Sequence, residues 1–261
     1  LLGLDEEQMD TAFGIAGTYA PVPSAYKYFG IVADTRPMRE VKLGWGWMSM
    51  AGTLAALSAL RGFRGGHGIL DGAQGFHVMA GSDRCDFDRM KEGLGTDWLV
   101  ADNEPKIYPG IARNSPPHFA VAAIVEEHGV QPDEVRQVTV RGMQTSSVAD
   151  FDPQSEVDAQ FSLPYAIVTA LLREPPGPQM YAKERLFDPK VRTLLGLIRL
   201  EHDPDADALF FDEQRLRYVV QIDLADGRRF VREIEFPRDR PQFGWTEVCA
   251  KFQGLFQGIL P

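Results

Sequence analysis

Cysteine is scarce. Cys85 and Cys249 are solitary and far apart, and no Cys-x-x-Cys pair occurs anywhere in the 261 residues. That pattern excludes a disulfide scaffold and favours a reducing compartment, so a cytoplasmic protein is expected. The five histidines, His67, His77, His118, His128 and His202, include no pair at metal-ligand spacing, which removes the common zinc sites. A Gly-x-Ser-x-Gly elbow is missing, and with it the simplest serine-hydrolase reading. Apolar runs of about 18 residues are missing too, and no charged-then-apolar leader is visible, so no membrane association is expected. Basic residues are in deficit, 27 against 37 acidic, for a net charge of -10. A nucleic-acid partner is therefore not expected, because phosphate-backbone binding needs a concentrated basic face. A few local Lys or Arg residues can still hold a small anion in a cleft.

What is present is an ordinary globular composition, 44% hydrophobic and 25% charged, long enough for a substantial core in one or two domains. The most concentrated apolar stretch runs from Ser155 to Leu172. Val157, Phe161, Tyr165, Val168 and Leu172 make one helical stripe, and Leu163, Ala166, Ile167, Ala170 and Leu171 a second, so the segment should be buried nearly all round. Ser155 with Asp158 three residues on fits a helix N-terminus. Pro164 then requires either a kink or a regular helix that begins near Ser162.

Ahead of this stretch, Asp5-Glu-Glu-Gln8 reads as a capping box and Met9, Ala12, Phe13 and Ala16 as the face of the helix it opens. Trp47, Ala51, Leu54, Ala55 and Ser58 form a small apolar stripe on a second helix stopped by Gly62, and a short helix is expected around Phe87 to Leu94. Gly65 to Gly72 is glycine-rich but follows a helix, which is the wrong context for a phosphate cradle. Beyond Asn103 the pattern changes. Lys106-Ile-Tyr-Pro109 looks extended, a helix opens at Pro116 or Pro117 and ends at Gly129, and Val138 and Val140 alternate with polar residues as a strand. Asp188-Pro189 caps a further helix, whereas Asp203-Pro-Asp-Ala-Asp207 reads as a solvated acidic loop without the glycine and distal glutamate of a calcium loop. Leu216 to Leu224 and Phe230 to Phe236 flank Asp226-Gly227 as a hairpin, and Trp245 to Phe256 returns to helix. The expected fold class is α+β, with a helical domain at 1–101, an α+β domain at 102–237, and a C-terminal helix at 238–261.

Two basic segments can carry chemistry. Arg39-Glu-Val-Lys-Leu-Gly44 stands just before a helix, where Arg39 and Lys42 either face a carboxylate substrate or form a solvated turn. In Lys106-Ile-Tyr-Pro-Gly-Ile-Ala-Arg113, Lys106 or Arg113 can clamp a carboxylate, and Tyr108, with His118 soon after, can move a proton; the alternative is a plain connection with solvated charges.

Asp158-Ala-Gln-Phe-Ser-Leu-Pro-Tyr-Ala166 resembles a segment of the MmgE/PrpD family, which includes 2-methylcitrate dehydratases, cis-aconitate decarboxylases and iminodisuccinate epimerases. The order of landmarks follows the later half of that family. The resemblance implies that the outer segments belong to an all-helical domain, that the middle is an α+β lid with antiparallel strands, and that a large helical front portion is supplied elsewhere. It therefore implies a fragment or a subunit of a split protein, as a homodimer or as a heteromer with a chain carrying that portion. The family's Lys-x-Leu-His-x-Gly pattern matches Arg39 to Gly44, with Arg39 at the lysine position and Lys42 at the histidine position. A guanidinium there binds charge but does not shuttle protons. The family's Lys-x-Tyr/Phe-Pro segment matches Lys106 to Pro109, giving Lys106 a substrate-carboxylate role; a following family histidine falls on Ser115, with His118 displaced. Ser147 falls at or near a tyrosine functional in the decarboxylases, which argues against that activity.

The resulting expectation is a cofactor-independent enzyme acting on a small di- or tricarboxylate. A hydro-lyase like 2-methylcitrate dehydratase comes first, an isomerase or carboxy-lyase otherwise. Arg39, Lys42, Lys106 and Arg113 bind substrate, and Tyr108 and His118 move protons. The rival expectation is a non-catalytic subunit that completes a separately encoded helical partner.

Overall fold

The structure is a computed structural model that describes residues 2–18, 45–79, 81–98, 100, 106–144, 148–240 and 244–256. The chain divides into two compact units, one holding the described residues up to 100 and the other those from 106 onward.

In the first unit every regular element among the described residues is a helix: α1 (Glu6–Gly17), α2 (Trp45–Leu60), α3 (Phe76–Met79) and α4 (Phe87–Lys91). The capping box is formed as the spacing predicts. The Asp5 carboxylate accepts from the Gln8 amide at 2.8 Å, and the Gln8 side chain accepts from the Asp5 amide at 3.1 Å. α1 packs on α2 through small residues, with Ala12, Ala55 and Ala59 buried. The return loop presses equally close, since a Cβ on Gly14 would lie 1.9 Å from the Gly66 carbonyl oxygen. His67 reaches back to α1, its Nδ1 2.5 Å from Asp10. The stripe expected on α2 is only partly inward. Ala55 is buried, but Trp47 and Leu54 remain 62% and 52% exposed, because α2 is apolar on more sides than this unit covers.

The second unit contains α5 (Ser115–His128), β1 (Val135–Gly142), α6 (Glu156–Phe161), α7 (Leu163–Leu171), α8 (Lys183–Leu186), α9 (Pro189–Leu195), β2 (Ile198–His202), α10 (Pro204–Glu213), β3 (Leu216–Leu224), β4 (Arg229–Phe236) and α11 (Trp245–Phe256). The four strands form one sheet in the order β2-β1-β3-β4. β3 and β4 are the expected hairpin, turned at Gly227 with φ of 92°, a left-handed backbone that glycine adopts without strain. The sheet is mixed, however, and not purely antiparallel. β1 runs antiparallel to β3 but parallel to β2, with Val138 opposite Ile198 and Val140 opposite Leu200. A parallel neighbour needs a long crossover, and α6 to α9 provide it.

α5 packs on β3 and β4, and α7 packs on α5. Val121, Ile124 and Val125 of α5 meet Val138, Val140, Tyr218, Val220 and Ile222 of the sheet, with Ile167, Val168 and Leu171 of α7 in the same core. Each of these side chains is fully or almost fully buried, a contribution of roughly 1.5–3 kcal/mol for each Val, Leu or Ile. The opposite sheet face carries Arg141, Val231 and Glu233, all exposed.

The central apolar stretch is two helices meeting at one residue. Ser162 ends α6 and caps α7, its Oγ accepting from the Tyr165 amide at 3.0 Å and donating to the Asp150 carbonyl at 2.6 Å. Pro164 sits in the first turn of α7, where its missing N–H costs nothing. The acidic segment at 203–207 is a helix start instead of a loop. Asp203 caps α10 by accepting from the Asp205 amide at 3.1 Å, and Pro204 takes the first helical position.

Candidate functional site

The Lys106-to-Gly110 segment bends instead of running as a strand, because its polar groups are satisfied locally. The Lys106 ammonium donates to the Gly110 carbonyl at 2.8 Å, folding the segment on itself. Gly110 has φ of 134°, and a Cβ there would meet the Tyr181 hydroxyl at 3.0 Å. Tyr181 in turn donates to the Pro109 carbonyl, and the Ile111 amide donates to the Gln160 carbonyl at 3.1 Å, so the bend is tied to the central helices.

The bend separates two cavities. One, of about 360 Å³, has Ile107, Pro176, Val248 and Ala250 in its wall and places Lys106, Lys251 and Glu247 around it. Lys251, on α11, donates to the Lys106 carbonyl. Its ammonium is held below the usual lysine range, first by partial burial and then by the neighbouring positive charge of Lys106. Among the described residues neither lysine is ion-paired.

The other cavity, about 10 Å³, has room for one water and is lined by Tyr108, Asn114, His118, Thr169 and Tyr181. The Tyr108 and His118 rings lie together here. His118 is 2% exposed, and its Nδ1 donates to the Ala166 carbonyl at 2.9 Å. Burial lowers its pKa from 6.5 to about 4, with the Ala166 bond opposing the shift, so the ring is neutral at pH 7. Burial, then the charge of Glu126, pushes the Tyr108 phenol up, so that it stays protonated. Asn114 is also buried, and its Oδ1 has no protein hydrogen-bond partner.

The predicted residues thus fall into two groups. Tyr108 and His118 are brought together on one side of the bend, and Lys106 faces the larger cavity on the other. Arg113 lies in the 3-10 turn Ala112–Asn114, and its positive charge partly offsets the burial that pushes the Tyr218 phenol up. Arg39, Lys42 and Ser147 lie outside the described residues. Sequence reasoning missed Lys251, a lone lysine on an amphipathic helix, and Asn114, whose significance is its unpaired oxygen. Neither carries a spacing signal. No group of three metal-ligating side chains occurs among the described residues, and no described helix is long and apolar enough to cross a membrane.

The MmgE/PrpD C-terminal domain matches residues 119–261, more than half of the chain. The chain belongs to the MmgE/PrpD family. Over 239 residues it is 26% identical to the cis-aconitate decarboxylase of Mus musculus, covering 88% of this chain and 46% of the relative. The chain therefore spans about half the length of the curated relative it matches. The family match begins at Phe119 in α5, so it contains α6, α7, the whole sheet and Lys251, while the Lys106 bend lies just ahead of it.

Proposed function

We propose that this MmgE/PrpD chain contributes to an enzyme site that removes a small group from carbon next to a carboxylate, with a small di- or tricarboxylate as substrate. Loss of water, as in a 2-methylcitrate dehydratase, is the first reading. The observation that carries the proposal is Lys106, whose ammonium has no ion-pair partner among the described residues and faces a cavity with apolar walls. A substrate carboxylate on Lys106 puts a fixed positive charge where enolate-like charge develops in the transition state, and the apolar wall keeps that interaction strong. Tyr108 as proton donor and neutral His118 as acceptor have pKa values pushed apart by their surroundings. They face the small cavity on the other side of the bend, so in this reading they exchange a proton with a water there and not directly with a substrate held on Lys106. Arg39, Lys42 and Arg113 are further carboxylate-binding candidates, and the α+β unit is the lid. The reaction so drawn uses no cofactor.

The 26% identical relative, named a cis-aconitate decarboxylase, favours loss of carbon dioxide as the second reading. The test is proton NMR of the purified protein with 2-methylcitrate, citrate and cis-aconitate. Alkene signals growing from a hydroxy acid support the dehydratase reading, and itaconate growing from cis-aconitate supports the decarboxylase. No turnover of any of the three would overturn the proposal in favour of a non-catalytic subunit, the role suggested by the exposed apolar residues of α2.

A further inference from the structure

We infer that Lys251 is a second substrate-binding cation, and that it shares one carboxylate of the ligand with Lys106 across the larger cavity. The inference rests on the carboxylate reading above. It adds a residue on α11, and hence makes the C-terminal helix a wall of the site.

Three observations converge on it. Lys251 and Lys106 line the same cavity. Each spends one N–H on a backbone carbonyl, Lys106 on Gly110 and Lys251 on Lys106 itself, which holds both ammonium groups at the bend. An ammonium has three donors, so two remain on each lysine. Neither lysine is ion-paired among the described residues, although the chain has ten more acidic than basic residues, 37 against 27. Burial first, and then the positive charge of Lys106, depresses the Lys251 ionisation, and a carboxylate held by both ammonium groups offsets the part that comes from their repulsion.

Glu247, one turn ahead of Lys251, also lines the cavity. Two ammonium groups and one carboxylate leave a single positive charge, matched to one carboxylate of the ligand. Ile107, Pro176 and Val248 then receive the ligand's carbon skeleton. A phosphate-bearing ligand is a poorer match, because its second negative charge would face Glu247 and its oxygens would have no backbone amide cradle.

The experiment titrates succinate into protein carrying lysine labelled with carbon-13 at Cε. The native protein, Lys251→Met, Lys251→Arg and Lys106→Ala are compared, with folding of each verified by circular dichroism. In the native protein succinate should shift the Lys106 and Lys251 resonances together and raise the Lys251 pKa. Lys251→Met should weaken succinate binding roughly tenfold, and Lys251→Arg should keep it within roughly threefold, as a charge contact requires. A purely structural tie between Lys251 and the Lys106 carbonyl would leave the Lys251 resonance unmoved by succinate. That result, or native-like binding by Lys251→Met while Lys106→Ala binds weakly, overturns the role of Lys251 and leaves the carboxylate reading intact. Failure of succinate to bind the native protein overturns the inference, whereas the carboxylate reading itself stands or falls on turnover of the three candidate substrates.

Discussion

The ring of Tyr108 lies 3.7 Å, centroid to centroid, from the ring of His118, with the two planes inclined by 42°. The contact covers the imidazole ring while the Ala166 carbonyl of α7 accepts a hydrogen bond from its Nδ1. His118 is thus a neutral, buried group in the folded chain and an ordinary histidine in the unfolded one. Between pH 6.5 and about 4 the unfolded state binds a proton that the folded state refuses, so stability is full above pH 6.5 and declines as pH falls. The loss is on the order of 3 kcal/mol, complete once pH is below the folded value. His118→Gln keeps a donor for the Ala166 carbonyl but does not titrate. Urea unfolding at pH 7 and pH 5 should show a smaller acid loss in the variant, and equal losses would remove His118 as the cause.

Lys106→Ala should weaken substrate or carboxylate-inhibitor affinity by about 1.5–3 kcal/mol, the range for a charged hydrogen bond. Its melting temperature should hardly move, since Lys106 is exposed and its tie to Gly110 is local. Unchanged kinetics in an active preparation would take Lys106 out of the site.

Tyr165 is fully buried and donates to the Met180 carbonyl at 2.5 Å. Tyr165→Phe keeps the ring in place but leaves that carbonyl without its partner, at a cost of about 1–3 kcal/mol. Denaturant unfolding measures this directly. A variant as stable as the native chain would mean that water replaces the phenol.

Trp47 and Leu54 on α2 are the kind of large exposed apolar side chains that mark an association surface. We expect the chain to dimerise through them. Light scattering at micromolar concentration should give a mass above the 29.1 kDa of one chain, and Leu54→Glu should restore it to that value. A monomeric native protein would reject this expectation.

Much of the fold was legible where a residue type has one strong use. Asp5 with Gln8, Asp188 with Pro189, and Asp226 with Gly227 each fix a local backbone geometry, and all three occur where the spacing predicts. Ser162 and Pro164 likewise carried the break in the central helix. The start of α10 carries the same Asp-Pro signal at 203–204, but its neighbouring acids make the segment resemble a solvated loop. β2 was missed since it is an edge strand whose last four residues are not buried, which erases the inside–outside alternation. Its parallel pairing with β1 is a tertiary fact that no local pattern encodes. At the site, Tyr108, His118 and Lys106 stood out as chemically able residues in one short segment. Which cavity each faces depends on the bend at Gly110, and Lys251 reaches that bend from α11 at the far end of the chain.

The parallel pairing of β2 with β1 also sets an order of events. β3 and β4 are neighbours in sequence and zip through a short turn, whereas β2 reaches β1 only after α6, α7, α8 and α9 have been laid down between them. Closing so long a loop costs entropy before any strand contact repays it. The hairpin is therefore expected to be the early part of this sheet, with β1 and β2 joining it only after long loops close. In the folded protein β2 is an edge whose only strand neighbour is β1, so its amides should exchange with solvent sooner than those of β3, which is paired on both sides.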